Sequence, residues 1–108
     1  IGKGIDTFCP MGPCILTRDE VPSPEGMELT TYGNGDLRQR ATVKDLIFDI
    51  PTLISVISAG MTLVPGDIIA TGTPSGVGIG FTPPKYLKRG DVVRASITPI
   101  GELVNEIA

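Results

Sequence analysis

The apolar residues of this chain fall in short runs broken by glycine, proline and charged clusters, the pattern of short strands and tight turns rather than of long helices. The opening, IGKGIDTFCPMGP, has glycine or proline at positions 2, 4, 10, 12 and 13, which excludes regular helix and predicts an extended segment ending in turns. Cys14 to Thr17 then reads as a short strand, and RDEVPSPEG as a charged surface turn. Met27 to Tyr32 and Asp36 to Ala41 flank Gly33-Asn34-Gly35, where Asn-Gly supplies the positive φ angles of a two-residue β-hairpin loop.

Thr42 reads as an N-cap with Asp45 at the third helical position, a capping box that uses Asp for Glu, and predicts a short helix from Val43. A second helix is expected over Thr52 to Ala59, with Pro51 in its first turn, Leu53, Ile54, Val56 and Ile57 on a core-covering apolar face, and Gly60 as its stop. Leu63 to Thr71 and Leu87 to Ser96 share a pattern, a Gly-Asp turn feeding a β-branched strand, and read as two corners of one curved sheet. Ile100 to Val104 completes a final hairpin.

Composition narrows the possibilities. With 108 residues and 41% hydrophobic content the chain is long enough for one modest core, so one domain or part of one is the ceiling. Gly and Pro number 14 and 10, yet the aliphatic residues remain plentiful enough to argue against disorder. A net charge of −3 with few aromatics gives no footprint for nucleic acid or an anionic membrane, so a small-molecule partner is expected. The apolar runs, Ile50 to Ile57 and Asp67 to Ala70, fall far short of the about 20 residues that span a bilayer. The first residue is not Met and no signal-peptide pattern follows it, so the chain is expected to begin in mid-protein. Cys9 and Cys14, with no histidine anywhere, cannot complete a zinc site; they read as reduced, packed thiols of a cytoplasmic protein.

Two features carry candidate chemistry. ATGTPSGVGIG, from Ala70 to Gly80, follows the expected strand Asp67 to Ala70 and would offer backbone N–H groups and the Thr71, Thr73 and Ser75 hydroxyls to a carboxylate or carbonyl oxygen. On composition alone a plain glycine-rich corner fits equally well. Nucleotide binding fits badly: no lysine follows Gly76, Gly78 or Gly80 in P-loop spacing, and Phe81 stands where a dinucleotide fingerprint needs glycine. The second feature is Lys3, a cation between two glycines, with Asp6 and Thr7 close by; a fixed ammonium there would stabilise a developing enolate, although such a lysine is commonly just exposed.

Taken together, GKGIDTFCPMGP (Gly2 to Pro13), the Asn34, Gly35 and Gln39 pattern, PGDIIATGTPSGVG (Pro65 to Gly78), LKRGDVV and Ile100-Gly101-Glu102-Leu103 resemble the fumarylacetoacetate hydrolase family. The match covers residues 1–108 but only the C-terminal half of the family's catalytic domain. The resemblance implies a mainly β fold with short helices, part of a mixed β-roll, and an enzyme acting on small β-keto or enol acids. Acylpyruvate hydrolysis, oxaloacetate-type decarboxylation and 2-hydroxymuconate-type isomerisation are all open. It implies Mg²⁺, or Mn²⁺ or Ca²⁺, in the intact enzyme, held by acidic residues of the missing half, with no tight binding to these residues alone. Residue by residue it implies Lys3 as the catalytic and substrate-facing lysine, Thr73 and Gly72 as substrate-binding, Gly76 as permitting close approach, and Thr7 as lying near the metal. Gly4 and Ile5 stand where the commoner pattern has serine and phenylalanine, which implies a pocket wall without that hydroxyl and that ring. A homodimer, or pairing with the missing half, is expected. A non-catalytic ligand-binding protein on the same fold, and an unrelated small β protein, are the competing readings.

Overall fold

The structure is a computed structural model that describes residues 2–21 and 23–108. Its centre is a four-stranded, wholly antiparallel sheet in the order β2-β1-β3-β4. β1 (Glu28–Gly33) and β2 (Asp36–Thr42) form the expected hairpin, and Asn34 and Gly35, at φ 52° and 86°, make its two-residue turn. β3 (Val92–Ile97) and β4 (Gly101–Glu106) form the second, with β1 and β3 pairing at the middle. A register shift between Thr31 and Tyr32 leaves Arg38 as an extra residue on β2, a β-bulge that twists the strand locally.

Alternation along the strands divides the sheet into two faces. One carries Glu28, Arg40, Arg94 and Glu102, with ion pairs Arg40–Glu28 at 3.0 Å and Arg94–Glu102 at 3.8 Å. These pairs are solvated and contribute little. The other carries half-buried Leu29, Ala41, Val93, Ala95, Ile97 and Leu103. Over its β4 end the amino-terminal segment passes, with Pro13 against Gly101 and the Cys14 thiol donating to the Ile100 carbonyl at 3.6 Å. Over its β2 end lie residues 71–81. No hydrophobic side chain among the described residues is fully buried, and Ile47, Phe48 and Val56 remain 92%, 62% and 68% exposed. The sheet therefore carries an apolar face that these residues only partly cover.

Several expectations change. Cys14 to Thr17 is not a strand: the Thr17 N–H and hydroxyl both donate to the Glu20 carboxylate, at 3.1 and 3.0 Å, and turn the chain instead. Cys9 and Cys14 are free as expected but exposed rather than packed. The short helix expected from Val43 is present as a single 3-10 turn, Val43–Asp45, with its capping box. The helix α1 runs Ile50–Gly60 and begins earlier than the proline suggested, because Asp49 caps it by accepting from the Thr52 N–H at 2.8 Å. Its face is only partly covered, with Leu53 and Ile57 half-buried and Ile54 exposed.

The two Gly-Asp turns are alike in their bonds. Asp67 N–H donates to the Val64 carbonyl at 3.0 Å while the Asp67 carboxylate accepts from Val64 N–H at 2.8 Å. Asp91 repeats both with Lys88, at 3.0 and 2.8 Å. Only the second turn feeds a sheet strand; Asp67 to Thr71 has no ladder partner among the described residues, so the expected strand there is extended coil. No helix among the described residues is long and apolar enough to cross a membrane.

Candidate active site

The glycine-rich loop lies directly on the apolar face of the sheet at β2. Gly76, at φ 106°, comes so close that a Cβ there would stand 1.9 Å from the Arg38 carbonyl oxygen. Only glycine tolerates both that backbone angle and that approach. Beside this contact the Gln39 side chain reaches up from the same face as Leu29 and Ala41, and its Nε2 donates to Thr73 Oγ1 at 2.8 Å and to the Pro74 carbonyl at 2.9 Å. Sheet and loop are thus joined by backbone contact at one residue and by a forked amide at the next.

Two hollows flank the joint. One, about 520 Å³, is lined by Leu29, Leu46, Phe48 and Leu53 on its apolar side and by Thr71 to Ser75 on its polar side. Asp45 also borders it, but one Asp45 oxygen takes both the Thr42 N–H, at 2.7 Å, and the Thr42 hydroxyl, at 2.8 Å. Those bonds, the backbone one foremost, hold its carboxyl below the usual range, so Asp45 closes the turn rather than facing a ligand. The second hollow lies between Tyr32, Arg38, Gly76 to Ile79 and Lys85 to Leu87. There Phe81 has the Arg38 guanidinium 5.4 Å and the Lys85 ammonium 4.8 Å from its ring centre, and Lys85 N–H closes the loop on the Gly78 carbonyl at 2.9 Å.

Of the residues singled out in the sequence, Thr71, Gly72, Thr73 and Ser75 come together along one hollow. Lys3, Asp6 and Thr7 lie apart in the exposed, turn-rich opening segment, where Phe8 N–H bonds the Ile5 carbonyl at 3.0 Å. Thr7 has φ 69°, an unusual backbone for a β-branched residue. Among the described residues no hydrogen bond or ion pair joins these three to the loop. Nor do any three His, Cys, Asp or Glu side chains among them converge as metal ligands, so these residues do not fit a metal centre by themselves. Residue-type reasoning missed Arg38, Phe81 and the apolar wall of Leu46, Phe48 and Leu53. The signal for Gln39 was present: an amide on a strand face otherwise bearing Leu29 and Ala41 requires a polar partner opposite.

Comparison with known proteins completes the picture. The family model for the fumarylacetoacetate (FAA) hydrolase C-terminal domain matches residues 1–108. The chain is 55% identical over 107 residues to the oxaloacetate tautomerase YisK of Bacillus subtilis (strain 168), covering 99% of this chain and 36% of that protein. It superposes on a fumarylacetoacetate hydrolase of psychrophilic Exiguobacterium antarcticum with a TM-score of 0.92 at 48% identity, over 98% of this chain and 38% of the other. It also superposes on a maleylpyruvate hydrolase of Sphingobium sp. SYK-6, in complex with manganese(II) and pyruvate, with a TM-score of 0.85 at 48% identity, over 95% and 36% of the two chains. The chain spans little more than a third of the length of these relatives, which are named as enzymes. It belongs to the fumarylacetoacetate hydrolase family.

Proposed function

We propose that these residues form the substrate-carboxylate side of an enzyme, of its relatives' length, that acts on small β-keto or enol acids and whose remaining catalytic groups lie outside residues 1–108. The observation that carries this reading is the Thr73 hydroxyl, fixed by Gln39 at the edge of a hollow whose other wall is apolar. A small organic acid suits such a hollow: its carboxylate takes the hydroxyl and backbone N–H groups of Thr71 to Ser75, and its carbon skeleton lies on Leu46 and Phe48. Gly72 keeps the loop slim beside the ligand.

In this reading Lys3 presents its ammonium to the oxygen on which charge develops as an enolate forms, the step shared by C–C hydrolysis of acylpyruvates, decarboxylation of oxaloacetate-type acids, and isomerisation or tautomerisation. Thr7 borders the same region. A divalent ion, Mg²⁺ or Mn²⁺ or Ca²⁺, would require carboxylates from outside these residues and would supply Lewis acidity. The exposed Ile47 and Val56 would be covered by the remainder of the protein or by a second copy in a homodimer. Free Cys9 and Cys14 suit a reducing compartment, and we assign the protein to the cytoplasm.

The test is Lys3→Met in the full-length protein, assayed on oxaloacetate tautomerisation and on acylpyruvate cleavage. Turnover is expected to fall by about a hundredfold or more, as for loss of one oxyanion-stabilising group, with divalent-metal affinity far less affected. Unaltered turnover on every such acid would remove Lys3 from the chemistry.

A further inference from the structure

We propose that Gln39 is the positioning residue that turns the Thr73 hydroxyl so that its proton points into the hollow, where it favours a carboxylate over a neutral group of the same shape. This rests on the reading that Thr73 meets the substrate, and deepens it by assigning where the selectivity for anionic oxygen originates.

Donor chemistry fixes the orientation of the Gln39 amide. The Pro74 carbonyl only accepts, so the Gln39 group 2.9 Å from it must be the NH₂ and not the amide oxygen. That same nitrogen lies 2.8 Å from Thr73 Oγ1 and has a second hydrogen to give. A hydroxyl has one proton and two lone pairs; with one lone pair taken by Gln39, the Thr73 proton is left pointing elsewhere. Among the described residues no protein acceptor takes it. The chain Gln39 N–H to Thr73 O–H polarises the hydroxyl towards an acceptor in the hollow, since successive hydrogen bonds strengthen one another. An anionic oxygen gains most from a donor so arranged.

The sheet keeps Gln39 in place. It pairs with Thr31 on the inner strand β1, immediately after the bulge residue Arg38, and the loop is pressed on the neighbouring Arg38 carbonyl at Gly76. Glu at position 39 would keep the size of the side chain but reverse its hydrogen bonding. It would face the Pro74 carbonyl with a second acceptor and draw the Thr73 proton towards itself.

The experiment measures the dissociation constants of pyruvate and its neutral amide for the full-length protein by calorimetry, in the native protein, Gln39→Glu, Gln39→Ala, Thr73→Val and the double variant Gln39→Ala/Thr73→Val. Thermal melts establish that each is folded; the near-isosteric Gln39→Glu stands in if Gln39→Ala is not. Gln39→Glu is expected to weaken pyruvate about tenfold and leave the amide within about threefold, collapsing the preference for the acid. Gln39→Ala should also weaken pyruvate, and the double variant should bind no worse than Thr73→Val, because the first residue acts through the second. If Thr73→Val itself leaves pyruvate binding unchanged, the assignment of Thr73 fails and this proposal with it. If Thr73→Val weakens pyruvate but both Gln39 variants leave the acid-to-amide preference intact, or the two effects multiply in the double variant, only the role of Gln39 is overturned.

Discussion

Replacing Gly76 by alanine tests how the loop is held on the sheet. The new methyl would stand 1.9 Å from the Arg38 carbonyl oxygen, 2.9 Å from its carbon and 3.0 Å from Gln39 Cγ. An ordinary carbon-to-oxygen contact needs about 3.3 Å, so the loop must retreat by roughly 1.4 Å. A retreat of that size stretches the 2.8 and 2.9 Å bonds from Gln39 to Thr73 and Pro74 beyond hydrogen-bonding range. Two lost hydrogen bonds cost roughly 1 to 3 kcal/mol together. Forcing alanine into a positive φ adds about 1 to 2 kcal/mol, for a total of about 2 to 5 kcal/mol. Gly72 is the control: its φ is 109°, nearly the same, but a Cβ there meets nothing within 4 Å. Gly72→Ala should therefore show only the backbone cost of about 1 to 2 kcal/mol. Urea unfolding of the two full-length variants, with unchanged slope, gives the difference directly. Equal destabilisation would refute the close packing of loop on strand as the reason for a glycine at 76.

Two further outcomes follow from the turns. Asp91 accepts from the Asn34 side chain at 2.9 Å and from Lys88 N–H at 2.8 Å, and these bonds, the Asn34 one foremost, hold its carboxyl below 3.8. Because the native value is depressed, its contribution to stability is complete above the ordinary Asp range and is lost as pH falls through the lowered value. A carboxylate-carbon NMR titration should place the Asp91 midpoint below 3.8 and move it back up in Asn34→Ala; no movement would remove Asn34 as the cause. Asp49→Ala removes the acceptor for Thr52 N–H and should speed hydrogen exchange at that amide by roughly fivefold, leaving the amides of β1 unchanged.

What could be read from residues alone was what residues decide locally. Asn34-Gly35 specifies its turn by backbone preference, the Thr42 and Asp45 pair specifies its bonds by spacing, and both are present. The two Gly-Asp turns were equally legible, and the structure adds the carboxylate that closes each. Yet the strands drawn after them differ, since a strand exists only where a partner is hydrogen-bonded to it, and Val92 to Ile97 finds β1 and β4 while Asp67 to Thr71 finds none among the described residues. Pairing of β1 with β3 joins residues 60 to 68 positions apart, which no window along the chain reveals. The glycine at 76 shows a similar limit: its presence was visible, but its reason is the Arg38 carbonyl on another element.

The arrangement of the sheet also explains why candidate chemistry gathers on one side of it. The outward face spends its side chains on solvated cross-strand pairs such as Arg40 with Glu28, which fix nothing beyond the strands themselves. The inward face is mainly apolar, and a large polar group that reaches out of it can be satisfied by a partner above the sheet. Gln39 is such a group, and its partners are the hydroxyl and carbonyl of the loop. The same rule that obliges a half-buried amide to be satisfied therefore places a donor on one lone pair of the Thr73 hydroxyl. A rigid hairpin, a close glycine and a forked amide together give the loop one geometry, the condition for a hydroxyl to distinguish an anionic oxygen from a neutral one.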